Sequence, residues 1–460
     1  MKTKAIILFA ISAIASWSVQ AQEPISSGEK LTLSECIKTA NQNSINIKRA
    51  QIQRIISAID LREAKHQFLP QVSAGISQGF DFGRSRDNRG VYVDRSSAST
   101  SFSIGGNFNL FSGLARLHAI KEGKLGKEIA NLDEEKVRND LNILIAGFFY
   151  TAAYKQEVCK IIQLQKEQTD KKVKQTETMV KAGKWDESRL YDMQAEQAQN
   201  ELDLTQAKAE LSQAMLDLTQ AMNIEESYSQ RAIDTEGLEH QPVKDILPTS
   251  PSSIYQAATI WMPQIQAAKL QIEKSKEQIS GAKSGYLPSL GLSVGYNNGY
   301  YYNFQKEYKA FNKSFADQWK ENGRTGISLS LNIPIFDALQ TKERVNRAKA
   351  SQTLAMLDLT DREQSLRKDV EQAFNNAKNA KQQIVVADLS LKAAEKAFKA
   401  AEYRYEAGKI TAYEYNEAAN KLSIAKVKLL QAKFDYIYKE YTLKFYINPK
   451  MSSDNLGGHH

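Results

Sequence analysis

The second half of this 460-residue chain repeats its first half, and that duplication constrains the fold more than any single motif. His66-Gln67-Phe68-Leu69-Pro70-Gln71 is answered by Ser284-Gly285-Tyr286-Leu287-Pro288-Ser289. Asn109-Leu110-Phe111-Ser112-Gly113 is answered by Pro334-Ile335-Phe336-Asp337-Ala338, and Lys181-Ala182-Gly183-Lys184 by Glu406-Ala407-Gly408-Lys409. The last two pairs share an offset of about 225 residues and the first differs by only a few. Solenoid units run roughly 20–50 residues. The period therefore marks a duplicated structural half.

Lys2 and Lys4 precede an apolar stretch from Ala5 to Val19, and Val19-Gln20-Ala21 has the small-x-small form of a cleavage site. Residues 1–21 read as a secretory signal peptide, with a mature chain expected to begin near Gln22. A membrane anchor would need about 20 apolar residues, and Gln22 is not the Cys of a lipid-anchored start. No later run is apolar enough for a spanning helix, so any membrane crossing must be made by β-strands. The net charge of +8 is spread along Lys- and Glu-rich helices. It forms no basic block of the kind nucleic-acid binding would favour. Cys36 and Cys159 lie far apart, and a disulfide between them is left open. His66, His118 and His240 have no ligand spacing, so no metal site is expected, and no dinucleotide fingerprint or other cofactor signature appears. Gly457-Gly458-His459-His460 reads as a tag remnant.

Four runs alternate with a period of two. Val72, Ala74, Ile76, Phe80 and Phe82 alternate with Ser73, Gly75, Ser77, Gly79 and Asp81; Phe102, Ile104, Phe108 and Leu110 with Ser101, Ser103, Asn107 and Asn109. Leu290 to Asn297 and Ile327 to Ile335 do the same in the second half. Each run is about 10 residues, the length of a tilted membrane-spanning strand. The small, uncharged polar face suits a wet lumen. A half-buried soluble sheet is the plainer alternative. The loops between paired strands are long. Gly83 to Thr100 holds Arg84, Arg86, Arg89 and Arg95, whereas Tyr301 to Arg324 is aromatic. Outer-membrane barrels place long loops outside the cell; solvated cover is the safer reading of both.

The helices obey a length rule. Ser112 to Lys181 gives about 70 residues, roughly 105 Å. Leu33 to His66 and Glu187 to Met222 together give about the same, so they form a second column beside it. The pattern recurs as Ser253 to Gly285, Asp337 to Ala407 and Thr411 to Tyr446. Apolar positions form narrow stripes rich in Ala, as expected of a tube wall with water on both faces. The fold class is thus α+β, mostly helical, in duplicated halves with four strands per chain. Four strands cannot close a barrel, and lipid does not tolerate an open edge. Two copies nearly fill their interior; three give twelve strands with an open lumen.

Two motifs suggest chemistry. Gly75-Ile76-Ser77-Gln78-Gly79 and Gly291-Leu292-Ser293-Val294-Gly295 match G-x-S-x-G, but a nucleophile elbow needs a sharp strand-to-helix turn beside a His. Ser77 and Ser293 lie inside alternating strands instead. The two Ala-Gly-Lys turns lack the remainder of a phosphate loop. A helix-ending Gly explains them better. The chain is not expected to be an enzyme.

Together, the duplicated halves, the Leu-Pro lead-in to the first strand, the Leu-Phe or Ile-Phe exit from the second and the Ala-Gly turns resemble the TolC family of outer-membrane efflux ducts. The resemblance covers essentially the whole mature chain. It implies a homotrimer in the outer membrane of a Gram-negative bacterium: a twelve-stranded barrel in outer-membrane lipid, continued by a long periplasmic α-helical barrel with an equatorial belt. Residues 22–223 and 253–448 would be the repeats. Residues 224–252, with Pro242, Pro248 and Pro251, would join them in the belt, where the tail 449–456 would also end. The tips, Val180 to Leu190 and Tyr405 to Tyr415, would form the entrance. Gly183, Lys184, Gly408, Lys409 and Ile410 would dock a periplasmic adaptor (membrane fusion) protein that joins an inner-membrane transporter. Glu414 and Glu417 match acidic gate positions, a negative ring favouring cations if they face the lumen; solvated helix carboxylates are the plainer alternative. Tyr405 matches a latching position. Ile410 stands where the family has a latching Arg, so the closed state would differ or use Arg404. The function implied is a passive duct of a tripartite efflux or type I secretion system. The competing readings are a periplasmic coiled-coil spacer and, least supported, an outer-membrane esterase.

Overall fold

The structure, a computed structural model, describes residues 30–86, 90–94, 96–224, 231–236 and 250–448. The expected signal peptide, most of the joining segment with Pro242 and Pro248, His240, Arg89, Arg95 and everything after Asn448 lie outside the described residues.

The two halves match element by element. The first runs α1 (Leu33–Asn43), α2 (Ile45–His66), β1 (Gln71–Asp81), β2 (Arg84–Arg86), β3 (Tyr92–Asp94), β4 (Ser97–Ser112), α3 (Ala115–Lys181) and α4 (Glu187–Met222). The second runs α5 (Pro251–Trp261), α6 (Pro263–Lys283), β5 (Ser289–Asn303), α7 (Lys306–Lys309), α8 (Phe315–Glu321), β6 (Arg324–Asn332), α9 (Gln340–Glu406) and α10 (Ala412–Ile447). Both long helices have 67 residues and both tip helices that follow have 36.

Each half departs from the expected continuous first helix at one matching point. Leu33 to His66 breaks at Ser44, whose ψ of 122° leaves the helical region while its hydroxyl accepts the Ile47 amide at 3.4 Å. Ser253 to Gly285 breaks at Met262, with ψ of 121°. There the Pro263 ring disfavours the helical conformation of the residue before it. The breaks turn α1 and α5 aside, and each covers a core at mid-height. Leu33, Cys36 and Ala40 join Ile145, Phe149 and Leu218 in one cluster. Ile254 and Ala258 join Ile265, Val370 and Leu443 in the other. Each Leu, Ile, Val or Phe among them contributes about 1.5–3 kcal/mol on full burial. Cys36 and Cys159 are both free; burial pushes the Cys36 thiol up to about 12.

The long helices start from a strained reversal. Gly113, Leu114, Ala338 and Leu339 all have positive φ, between 52° and 70°. Only the first half requires glycine for space as well, since a Cβ on Gly113 would lie 2.4 Å from the Ser284 carbonyl oxygen.

The strands form one antiparallel sheet in the order β1-β4-β5-β6. Ser77↔Ser101, Ser103↔Asn297 and Ser293↔Ser328 stand on one face; Ile76↔Phe102, Ile104↔Tyr296 and Leu292↔Leu329 stand on the other. The last strand runs 324–332, not 327–335, because Pro334 has no amide to extend the ladder. Both loops carry structure of their own: the first holds the β2–β3 ribbon and the second holds α7 and α8.

Helix α3 packs against α2 and α6 toward the sheet and against α4 and α10 away from it; α9 packs on α6 and α10. Leu354, Leu357, Val386 and Leu389 of α9 and Ile52, Ile55 and Ile59 of α2 remain exposed. No described helix is long and apolar enough to cross a membrane.

Candidate functional site

Far from the sheet, the two hairpins end in nearly identical backbone reversals. Gly183 has φ of 69°; its amide reaches the Val180 carbonyl at 2.9 Å, and the Lys184 amide reaches Met179 at 2.9 Å. Gly408 has φ of 70°, with Gly408 bonded to Tyr405 at 2.9 Å and Lys409 to Arg404 at 2.8 Å. Both are Schellman ends, in which a left-handed residue lets two amides satisfy orphan carbonyls. A Cβ at either glycine would meet nothing within 4 Å. Conformation alone selects glycine there.

The next helix of each hairpin starts with a side-chain cap. Asp186 accepts the Ser188 amide at 2.8 Å. Its carboxyl is held below the usual range by hydrogen bonds from the Ser188 side chain and backbone. Thr411 makes a capping box: its hydroxyl accepts the Glu414 amide at 3.2 Å, while Glu414 Oε2 accepts the Thr411 amide at 2.9 Å and hydroxyl at 3.1 Å. These bonds from Thr411 hold the Glu414 carboxyl below its ordinary value. Within one chain the shift runs opposite to what self-repulsion in an acidic ring would cause. Glu417 is exposed and bonded to Lys421 at 2.7 Å. Both candidate gate acids therefore have partners on their own helix.

The two tips are joined by an aromatic cluster. Tyr405 is 1% exposed. It stacks on Tyr415, with centroids 4.8 Å apart, and meets Trp185 edge-on at 5.5 Å. The Arg189 guanidinium lies 5.5 Å from the Trp185 ring centre and 6.0 Å from that of Tyr405. Lys172 bridges the hairpins through Glu406 at 3.1 Å. The Tyr405 hydroxyl has no hydrogen-bond partner among the described residues. Gly183, Lys184, Gly408 and Lys409 lie on the exposed ends, with Arg404 exposed beside them, whereas Ile410 is turned into the cluster at 6% exposure. Its side chain fixes the turn and presents little surface. Trp185, Arg189 and Lys172 were not singled out in the sequence; an aromatic at the position that Ile410 holds in the other tip was the available signal.

The two G-x-S-x-G serines face the polar side of the sheet. Ser77 Oγ lies 2.6 Å from Ser101 Oγ, and Ser293 donates to Asn107 at 2.9 Å. Neither is at a turn, and no cluster of three metal-ligating side chains exists among the described residues.

A four-stranded sheet with one aliphatic and one small polar face, prolonged by ~100 Å of helix, defines an outer-membrane channel protein. The chain belongs to the outer membrane efflux protein family, whose model matches residues 36–223 and 254–448. It is 22% identical over 431 residues to outer membrane protein TolC of Salmonella enteritidis, covering 92% of this chain and 83% of that one. Its fold resembles crystal structures of CusC, with TM-score 0.73 at 16% identity over 93% and 95% of the two chains. It also resembles the CmeC outer membrane channel of Campylobacter jejuni, with TM-score 0.71 at 16% identity over 92% and 89%. The chain is thus a non-enzymatic transport protein of the outer membrane, reaching into the periplasm.

Proposed function

We propose that three copies of this chain close into a passive duct that carries cargo from an inner-membrane transporter, through a periplasmic adaptor, to the exterior. The observation that carries this reading is the pair of unfinished edges. The sheet ends in β1 and β6, and lipid tolerates no open edge. Its apolar face is bare: Val72, Ile76, Ile327, Leu329 and Leu331 are each more than 60% exposed. The uncovered aliphatic faces of α9 and α2 lie on the same two flanks as those edges, so one seam between copies would cover both. Twelve strands leave an open lumen where eight would nearly fill.

A mass measurement on the detergent-solubilised protein tests the assembly, with three chains expected. A stable monomer or dimer would end the duct reading. Recovery of the native protein in the soluble periplasmic fraction would favour a coiled-coil spacer. At the entrance, Lys184 and Lys409 supply exposed docking positions, while Glu414 and Glu417 supply the acidic ring if their helix faces the lumen. The double change Glu414→Gln with Glu417→Gln should lower cation selectivity in planar bilayers. Unchanged selectivity would leave these residues as a cap and a surface ion pair.

A further inference from the structure

After β5 the chain does not run out into solvent. It turns through α7 and returns alongside the sheet as α8. β6 pairs with β5 only up to Asn297, which leaves Gly299, Tyr301 and Asn303 with an open edge. Three side-chain amides stand in for the missing strand. Asn322 donates to the Gly299 carbonyl at 2.6 Å; Gln318 accepts the Tyr301 amide and donates to its carbonyl, both at 2.9 Å; Asn312 does the same for Asn303 at 2.8 and 2.9 Å. The loop is thereby fastened, as edge strands in sheets usually must be.

Its position on the sheet is specific. Phe315 and Trp319 meet Phe102 edge-on at 6.4 and 5.0 Å, and Tyr300 lies 5.5 Å from Phe315. These partners stand on the apolar face at the top of its aliphatic band, Phe102 opposite Ile76 and Tyr300 one rung beyond. Along each strand toward this loop the same face turns from apolar to polar: Ile76 gives way to Gln78, Phe102 to Thr100, Tyr296 to Asn298 and Ile327 to Thr325. Asn298 would strand an amide on a lipid-facing wall, yet it is 4% exposed and donates to the Trp319 carbonyl at 2.8 Å. The loop seals the wall there and still leaves Phe311, Phe315 and Trp319 exposed. Residues 304–324 carry Lys306, Lys309, Lys313, Lys320 and Arg324 against Glu307, Asp317 and Glu321, and among the described residues Lys313 alone of these cations forms an ion pair, with Glu321. Aromatic rings with lysines at the top of an apolar band match the headgroup layer of an anionic leaflet.

We propose that the loop 304–323 is a seat for phosphorylated lipid headgroups of the outer leaflet. Phe311, Phe315 and Trp319 enter the interface, and Lys306, Lys309 and Lys320 meet phosphate oxygens. The proposal rests on the sheet being the wall of a membrane barrel, so the test separates the two. The full-length protein carrying Trp185→Phe and Trp261→Phe, which leaves Trp319 as the reporter of the mature chain, is placed in vesicles of brominated phosphatidylcholine with or without lipid A. A parallel variant moves the reporter into the aliphatic band by Trp319→Phe with Ile327→Trp. At least twofold quenching is expected at both positions. The triple variant Lys306→Gln, Lys309→Gln, Lys320→Gln should bind lipid A at least tenfold more weakly, since each lysine near an anionic surface contributes about fivefold. Quenching at position 327 but not at 319 would overturn the lipid seat alone; quenching at neither would overturn the barrel as well. Unchanged lipid A binding by the triple variant, or displacement of lipid A by inorganic phosphate, would also overturn the seat.

Discussion

The two tips share a backbone and an Ala-Gly-Lys turn, and little else. Gly183 and Gly408 reverse the chain with φ of 69° and 70°, yet the residues around them have diverged. Where one tip has Val180, Trp185, Asp186 and Arg189, the other has Tyr405, Ile410, Thr411 and Glu414. The first tip contributes a cation and an indole that lean on its neighbour. The second contributes the buried aromatic stack and a self-contained capping box. Duplication kept what the turn requires and released what the contact between hairpins requires. One tip became the pivot and the other its cover.

Changes at equivalent positions can break this comparison. The largest effect is expected from proline at either glycine, because Pro fixes φ near −65° and removes the amide of the Schellman end. Gly183→Pro and Gly408→Pro should both unravel their tips and abolish export by a channel-deficient host, while the oligomeric state of the parent is kept; export retained by either variant would exclude that tip from the proposed docking. Tyr405→Ala should destabilise the contact between hairpins by about 3–5 kcal/mol, read as lost hydrogen-exchange protection in both tips. Val180→Ala, its counterpart, should lose far less. If the two lose equally, the pivot assignment is wrong. Thr411→Ala should cost about 1 kcal/mol in protection of the first turn of α10, and Asp186→Ala should lower protection of the first turn of α4 in the same direction.

Acid sharpens the comparison further. Asp186 and Glu414 both have lowered carboxyl pKa values, so the stability they add is present above the ordinary values of 3.8 and 4.5 and lost as pH falls below them. Protection should fall at both tips below about pH 4, and Glu414→Gln should remove much of the acid response of the second tip only. The smallest effect is expected for Tyr405→Phe: its hydroxyl has no described partner, so protection should stay within about 0.5 kcal/mol of the parent.

Much of this was legible in the sequence, and the exceptions have identifiable causes. The strands were readable because a sheet with one apolar face imposes strict alternation, and the helices because nothing interrupts 67 residues. The break at Met262 was missed although Pro263 signals it; the matching break at Ser44 had no such signal, because a serine within a helix is common and only its cap bond distinguishes it. Thr411-Ala412-Tyr413-Glu414 carries the S/T-x-x-E capping pattern, so the partner of Glu414 could be read three residues ahead of it, and Glu417 has its own Lys421 one turn on along the same helix face. Helix α8 was not foreseeable: seven residues give no reliable period, and its hold on β5 comes from side-chain amides whose partners appear only once β6 is seen to be the shorter strand.

The equal lengths of α3 and α9, and of α4 and α10, restrict how such a wall can change by insertion. One added residue in a single helix would lower everything beyond it by about 1.5 Å and rotate it by about 100°. That would carry Tyr405 away from Tyr415, and Lys172 away from Glu406, without touching either residue. Seven residues bring the same face back to within about 20°, and only if both helices of a hairpin gain them together. The duct can therefore be lengthened only by near-whole numbers of turns, such as about 7, 11 or 18 residues, taken four helices at a time, which makes its reach a quantised property of the chain.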